Sequence, residues 1–150
     1  MAFVFRFQQI LQIRIHEENE VKTRLAQKDG QIAGTRAEIK KFKDEYAQGL
    51  EQKVLDLQAG DMTKVQMYPA YLVRLQRAWE YQEEELERLE KQRQKIVDEL
   101  MIKRRNRMTY EKMREKDEAA YTKEMLKKEQ KKLDEYGNRI RRTAGEHDDA

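Results

Sequence analysis

Few side chains in this chain could take part in covalent or metal chemistry. There is no cysteine and no serine, so thiolate metal sites, disulfides and thiol or serine nucleophiles are excluded. The two histidines, His16 and His147, stand far apart, one in a helical stretch and one near the end of the sequence. Glu83-Glu84-Glu85 could suggest a divalent-cation site. Consecutive helical positions point in different directions, so a solvated face is the simpler reading. No glycine-rich phosphate loop occurs. The remaining chemistry is electrostatic: Lys103-Arg104-Arg105-Asn106-Arg107, Lys127-Lys128 and Lys131-Lys132 give residues 103–142 15 basic against 8 acidic side chains. Such an excess suits an acidic protein surface, lipid headgroups or nucleic acid. A basic-zipper arrangement does not fit, because the cluster lies between apolar heptads and not ahead of them.

The elements that carry these residues are helices. Of 150 residues 41% are charged and 38% hydrophobic, with a mean hydropathy of −1.11 and a net charge of +3. That leaves too little apolar material for a packed globule and matches long helices or a coiled coil. Met1 to Ile15 is apolar-rich but interrupted by Arg6, Gln8, Gln9, Gln12 and Arg14. It predicts neither a membrane span nor a signal peptide, and the chain reads as soluble and cytosolic.

Phe7, Leu11, Arg14, Glu18, Val21, Leu25, Lys28, Ile32, Thr35, Ile39, Phe42 and Tyr46 follow one another at alternating steps of four and three. That is the repeat of a left-handed coiled coil. Gly30 and Gly34 soften this helix without shifting its phase. A second run, Leu72, Leu75, Trp79, Gln82, Leu86, Leu89, Arg93, Ile96, Leu100, Lys103, Arg107 and Tyr110, has the same alternation. Between them Gly60 suits a helix C-terminus and Asp61 an N-cap. The sole proline, Pro69, allows the second helix to start at Asp61 with a kink or at Pro69 itself.

The expected fold is all-α. Helix 1 covers about 3–58, a turn about 59–62 and helix 2 about 62–142, in one antiparallel coiled-coil hairpin with its second helix the longer and a disordered tail at 144–150. Folding at Gly60/Asp61 pairs residues whose numbers add to about 121. Tyr46 then meets Leu75, Phe42 meets Trp79, Ile32 meets Leu89, Leu25 meets Ile96 and Val21 meets Leu100. Lys28 opposite Arg93 and Arg14 opposite Arg107 are poor layers. From about Ala119 to Arg142 the second helix has no partner in its own chain, an overhang of roughly 35 Å at ~1.5 Å per residue. It carries Tyr121, Met125, Leu126, Leu133, Tyr136 and Ile140. The first strand of the hairpin begins with Phe3, Val4, Phe5, Phe7 and Ile10, apolar on more than one face. Apolar surface on that scale marks a partner site.

Two segments carry a family resemblance. Phe5-Arg6-Phe7-Gln8-Gln9-Ile10-Leu11-Gln12-Ile13-Arg14 resembles the opening helix of the flagellar export protein FliJ family. Tyr110-Glu111-Lys112-Met113-Arg114-Glu115-Lys116-Asp117, followed by Tyr121, Glu124, Glu129-Gln130-Lys131 and Leu133-Asp134-Glu135, is similar to that family's C-terminal segment. The resemblance implies a non-enzymatic, cofactor-free stalk of the flagellar type III export apparatus, similar in fold to the coiled coil of the ATP synthase gamma subunit. Its implied partners are the hexameric export ATPase, the membrane export gate and substrate chaperones, with no nucleic acid and no small-molecule substrate. The ATPase-ring contact would then use Phe3, Phe5, Phe7, Ile10, Tyr121, Met125, Leu126, Leu133 and Ile140. The family's gate contact, an aromatic with a leucine four residues on, maps to Tyr71 and Leu75. Placement would be cytoplasmic, peripheral to the inner membrane at the flagellar base. The alternatives are a homologous stalk of a virulence secretion system and a generic coiled-coil tether.

Overall fold

The computed structural model describes residues 2–148, and side chains through residue 145. The described residues form a helical hairpin without strands: α1 (Gln8–Gln58), a single-turn α2 (Met62–Val65) and α3 (Tyr68–Asp148). They divide into two compact units. Glu17–Ile102 holds the turn, and Met1–His16 with Lys103–Ala150 holds the two chain ends.

In the turn-bearing unit α1 and α3 run antiparallel. The seam buries Val21, Ile32 and Ile39 of α1 with Leu72, Leu75, Leu89 and Leu100 of α3. Burying one such side chain is worth about 1.5–3 kcal/mol, and these few layers supply most of the unit's stability. Tyr46 meets Trp79 edge to face at 5.1 Å, one turn of α3 beyond the Leu75 expected opposite it, because the two rings reach along the seam to each other. Flanking the seam are Arg24–Glu99 at 2.6 Å, Asp29–Arg93 at 2.5 Å, Arg36–Glu90 at 3.0 Å and Lys43–Glu83 at 3.1 Å. All four pairs are solvent-exposed and individually worth at most about 1 kcal/mol, but each favours the same register. Their residue numbers add to within about five of the expected total, so the hairpin turns where Gly60 predicts. The poor Lys28/Arg93 layer resolves locally: Lys28 Nζ donates to Gln92 Oε1 at 2.9 Å, and Arg93 turns to Asp29.

The turn is more elaborate than a break at 59–62. Gly60 has φ +77°, the left-handed conformation that glycine adopts without a Cβ penalty. Its N–H donates to the Leu57 carbonyl at 3.2 Å, and the Asp61 N–H donates to the Asp56 carbonyl at 3.0 Å. Those two bonds are a Schellman closure of α1. Asp61 then caps α2, accepting from the Lys64 N–H at 3.3 Å. The long second helix starts at Tyr68, not at residue 62. Its first i→i−4 bond runs from the Tyr71 N–H to the Met67 carbonyl at 3.3 Å, which places Pro69 in the first turn, where its missing N–H costs nothing.

In the unit of the chain ends α1 begins at Gln8 and not near residue 3. Phe3, Val4 and Phe5 lose rotamer freedom in a helix. Outside it they alternate: Val4 is 82% exposed while Phe5 is buried and Phe3 half-buried. The Gln8 N–H returns to the Phe5 carbonyl at 3.2 Å to start the helix. At the other end α3 continues to Asp148, past the expected stop at 142. No proline intervenes, Ala144 favours helix, and the Thr143 hydroxyl bonds back to the Arg139 carbonyl at 2.8 Å. Of the expected tail, residues 149 and 150 lie outside the described residues.

Candidate functional site

Apolar surface already covered by the chain itself is not open to a partner, so burial sorts the candidate residues. Near the chain ends an aromatic ladder holds the first residues against α3. Phe3 meets Tyr121 at 5.6 Å, Phe7 meets Tyr110 at 6.3 Å, and Phe5 meets Phe7 at 5.9 Å, the last two edge to face. Arg6 pairs with Asp117 at 3.5 Å and lies over the Phe7 ring at 4.8 Å. Arg14 of α1 lies 5.9 Å from the ring centroid of Tyr110 on α3, and Arg107 reaches Glu111 on its own helix at 2.7 Å, so each guanidinium of the Arg14/Arg107 layer has its own partner. Phe5 is buried, while Phe3, Phe7, Ile10, Tyr121 and Met125 are half-buried. These six serve internal packing first.

From residue 126 to residue 145 the side chains of α3 are exposed, with Leu126 60%, Leu133 64%, Tyr136 64% and Ile140 53%. Leu126, Leu133 and Ile140 recur every seven residues and share one face, with Tyr136 beside them. A helix of this kind is marginal alone in water, so the stripe calls for a partner.

Near the turn, Leu75 is 7% exposed and part of the seam, while Tyr71 is 41% exposed. The two therefore do not present a joint surface. Tyr71 instead lies beside Met67, which is 70% exposed, along a shallow groove of about 520 Å³ also lined by Tyr68 and Ala70, with Lys64 and Arg74 at its edge. Gly49 of α1 makes room for this edge: a methyl there would stand 3.2 Å from Leu72 Cδ2 and 3.4 Å from Tyr71 Cε1.

Two features near the turn escaped the sequence reading. The first seam continues past Tyr46 at the same steps through Gly49, Lys53 and Asp56, and Asp56 is only 8% exposed. Its carboxylate accepts from the Tyr68 hydroxyl at 2.7 Å and from Gln52 Nε2 at 3.2 Å. The Tyr68 bond holds Asp56 below the usual carboxylate range and pushes the phenol up to about 12. This contact ties the start of α3 to the last turn of α1. The second feature is an apolar face of α1 formed by Leu50, Val54 and Leu57, 43–53% exposed. Its signal was present as an i, i+4, i+7 pattern one step off the seam.

The titratable candidates for chemistry stay dispersed. Glu83 pairs with Lys43 and Glu85 with Arg88. His16 is exposed on α1, and the side chain of His147 lies outside the described residues. Among the described residues no three His, Cys, Asp or Glu side chains group so as to hold a metal ion. No helix among them is long and apolar enough to cross a membrane.

A family model described as the flagellar FliJ protein matches residues 3–146. The chain belongs to the FliJ family. FliJ proteins are non-catalytic components of the flagellar type III export apparatus, which places this chain in protein transport. Searches of curated proteins and of solved structures returned no match.

Proposed function

We propose that this FliJ chain is a stalk that inserts into the hexameric flagellar export ATPase and couples it to the membrane export gate and to substrate chaperones. The observation that carries this reading is the exposed stripe Leu126, Leu133, Tyr136 and Ile140 on the part of α3 that its own chain leaves uncovered. The aromatic ladder from Phe3 to Phe7, with Ile10, Tyr121 and Met125, steadies the base of that segment and contributes its half-exposed edges. The gate contact falls on Tyr71, beside Met67, while Leu75 of the expected pair is buried in the seam. The chain binds no nucleotide itself in this reading, and it works at the cytoplasmic face of the inner membrane. The energy comes from the ATPase, and the helices transmit it mechanically.

The test is a triple substitution, Leu126→Asp, Leu133→Asp and Ile140→Asp, in the full chain. Binding to the export ATPase should fall by at least 100-fold, about 3 kcal/mol, because three apolar anchors become buried charges. Far-UV circular dichroism should still show an intact hairpin. Undiminished binding would remove this stripe as the docking surface.

A further inference from the structure

The exposed stripe is not a continuation of the hairpin's seam. On α3 the seam of the chain-end unit passes through Lys103, Arg107, Tyr110, Asp117 and Tyr121, all half-buried. At 100° per residue, Leu126, Leu133 and Ile140 lie on average roughly 125° round the helix from those positions. The stripe therefore faces a different direction from the one in which α3 meets the first residues of the chain.

The stripe falls on a heptad repeat in which one seam position is apolar throughout and the other is apolar at Tyr136. Ala119, Leu126, Leu133 and Ile140 hold one seam position, and Thr122, Glu129, Tyr136 and Thr143 hold the other, all exposed. The positions that flank such a seam set partner choice. Between residues 122 and 140 the charged flanking residues are Lys123, Lys132 and Arg139, with no carboxylate among them. The carboxylates of this stretch other than Glu129, which are Glu124, Asp134 and Glu135, fall on the outer face. Among the described residues Lys123, Lys132 and Arg139 form no ion pair, whereas Lys128 on the outer face pairs with Glu124 at 3.8 Å.

We propose that residues 119–143 form a second coiled-coil seam that takes a partner helix or groove of apolar side chains rimmed by carboxylates. This rests on reading the stretch as the ATPase contact, and it specifies the chemistry of the partner's side of that contact. A second copy of this chain is a poor occupant. Antiparallel pairing would set Lys132 and Arg139 against their own counterparts, and parallel pairing sets them against Gly137 and Ala144 and gives only Lys123 an opposite charge, Glu118.

The test uses the full-length chain and two synthetic helical peptides of about four heptads, identical at their apolar positions and carrying either Glu or Lys at every flanking position. Fluorescence anisotropy at low salt should show the Glu peptide binding about tenfold or more tighter than the Lys peptide. The preference should shrink as salt rises. Lys132→Glu with Arg139→Glu should invert it, and Leu126→Asp with Leu133→Asp should abolish binding of both peptides with helicity retained. Equal affinity for the two peptides, binding of neither, or a concentration-dependent dimer of the chain that Leu133→Asp dissolves would each overturn the proposal. The export ATPase is titrated in parallel. A wild-type chain that discriminates between the peptides but does not bind the ATPase would refute the ring contact and leave the acidic-partner specificity standing.

Discussion

The glycines of this hairpin should respond to the same substitution with different signs. Gly30 and Gly34 lie inside α1, exposed, and a Cβ built at either meets nothing within 4 Å. Each costs the helix about 0.5–1 kcal/mol relative to alanine, partly by enlarging the freedom of the unfolded chain. Gly30→Ala with Gly34→Ala should therefore add about 1–2 kcal/mol. For a chain of this size that corresponds to roughly 3–6 °C in Tm. Gly60→Ala has just as much space, but φ there is +77°, and the alanine must either adopt the left-handed conformation or open the Schellman closure. A fall of about 1 kcal/mol is expected. Gly49→Ala sits between these, because its methyl presses on Leu72 Cδ2 at 3.2 Å and the helical gain is spent displacing a buried leucine. Thermal melts followed at 222 nm at fixed concentration, together with urea midpoints, read all four changes. If the double alanine variant failed to gain stability, or Gly60→Ala gained it, the reading of α1 as an uninterrupted helix closed by Gly60 would be wrong.

Burial separates the two leucine stripes: Leu89→Ala should cost about 2–4 kcal/mol by urea denaturation, while Leu133→Ala should change stability by less than about 0.5 kcal/mol. Tyr68→Phe should lower Tm at neutral pH by removing the donor to Asp56. Because Asp56 is held below its ordinary value, its share of stability is present above the carboxylate range and lost as pH falls through the folded-state value, below about pH 4. The Tyr68 phenol, pushed up to about 12, contributes stability that is full below its ordinary value near 10 and lost as pH rises through about 12. The gap in Tm between wild type and Tyr68→Phe should thus close at both extremes, and a gap that stayed constant through either window would contradict the assigned bond.

Most of the seam was legible because a coiled coil writes its contacts into local periodicity. All twelve residues of each four-three run are buried or half-buried. The reading stopped at Tyr46 because the next seam residues are Gly49, Lys53 and Asp56. A polar seam residue has no apolar signature, and its burial depends on a partner such as Tyr68, which is distant in pattern though near in space. The gate pair failed to appear as a joint surface for a related reason. Four residues separate Tyr71 from Leu75, yet the seam turns Leu75 inward and leaves Tyr71 at its edge.

The amino-acid sequence alone determined the helical class, the place of the turn and, to within a few residues, the pairing register. Heptad spacing, Gly60 and the scarcity of apolar residues act over a few neighbours at a time, and a long antiparallel pair has few alternatives that keep its apolar positions together. Only the tertiary structure decided which apolar residues remain for a partner. That outcome depends on residues 2–7 running on past α1 along α3, so that Phe7 packs on Tyr110 and Phe3 on Tyr121, and on a rotation of the α3 stripe away from the seam. Both follow from which surfaces are already occupied, a property of the packed chain that no local pattern encodes.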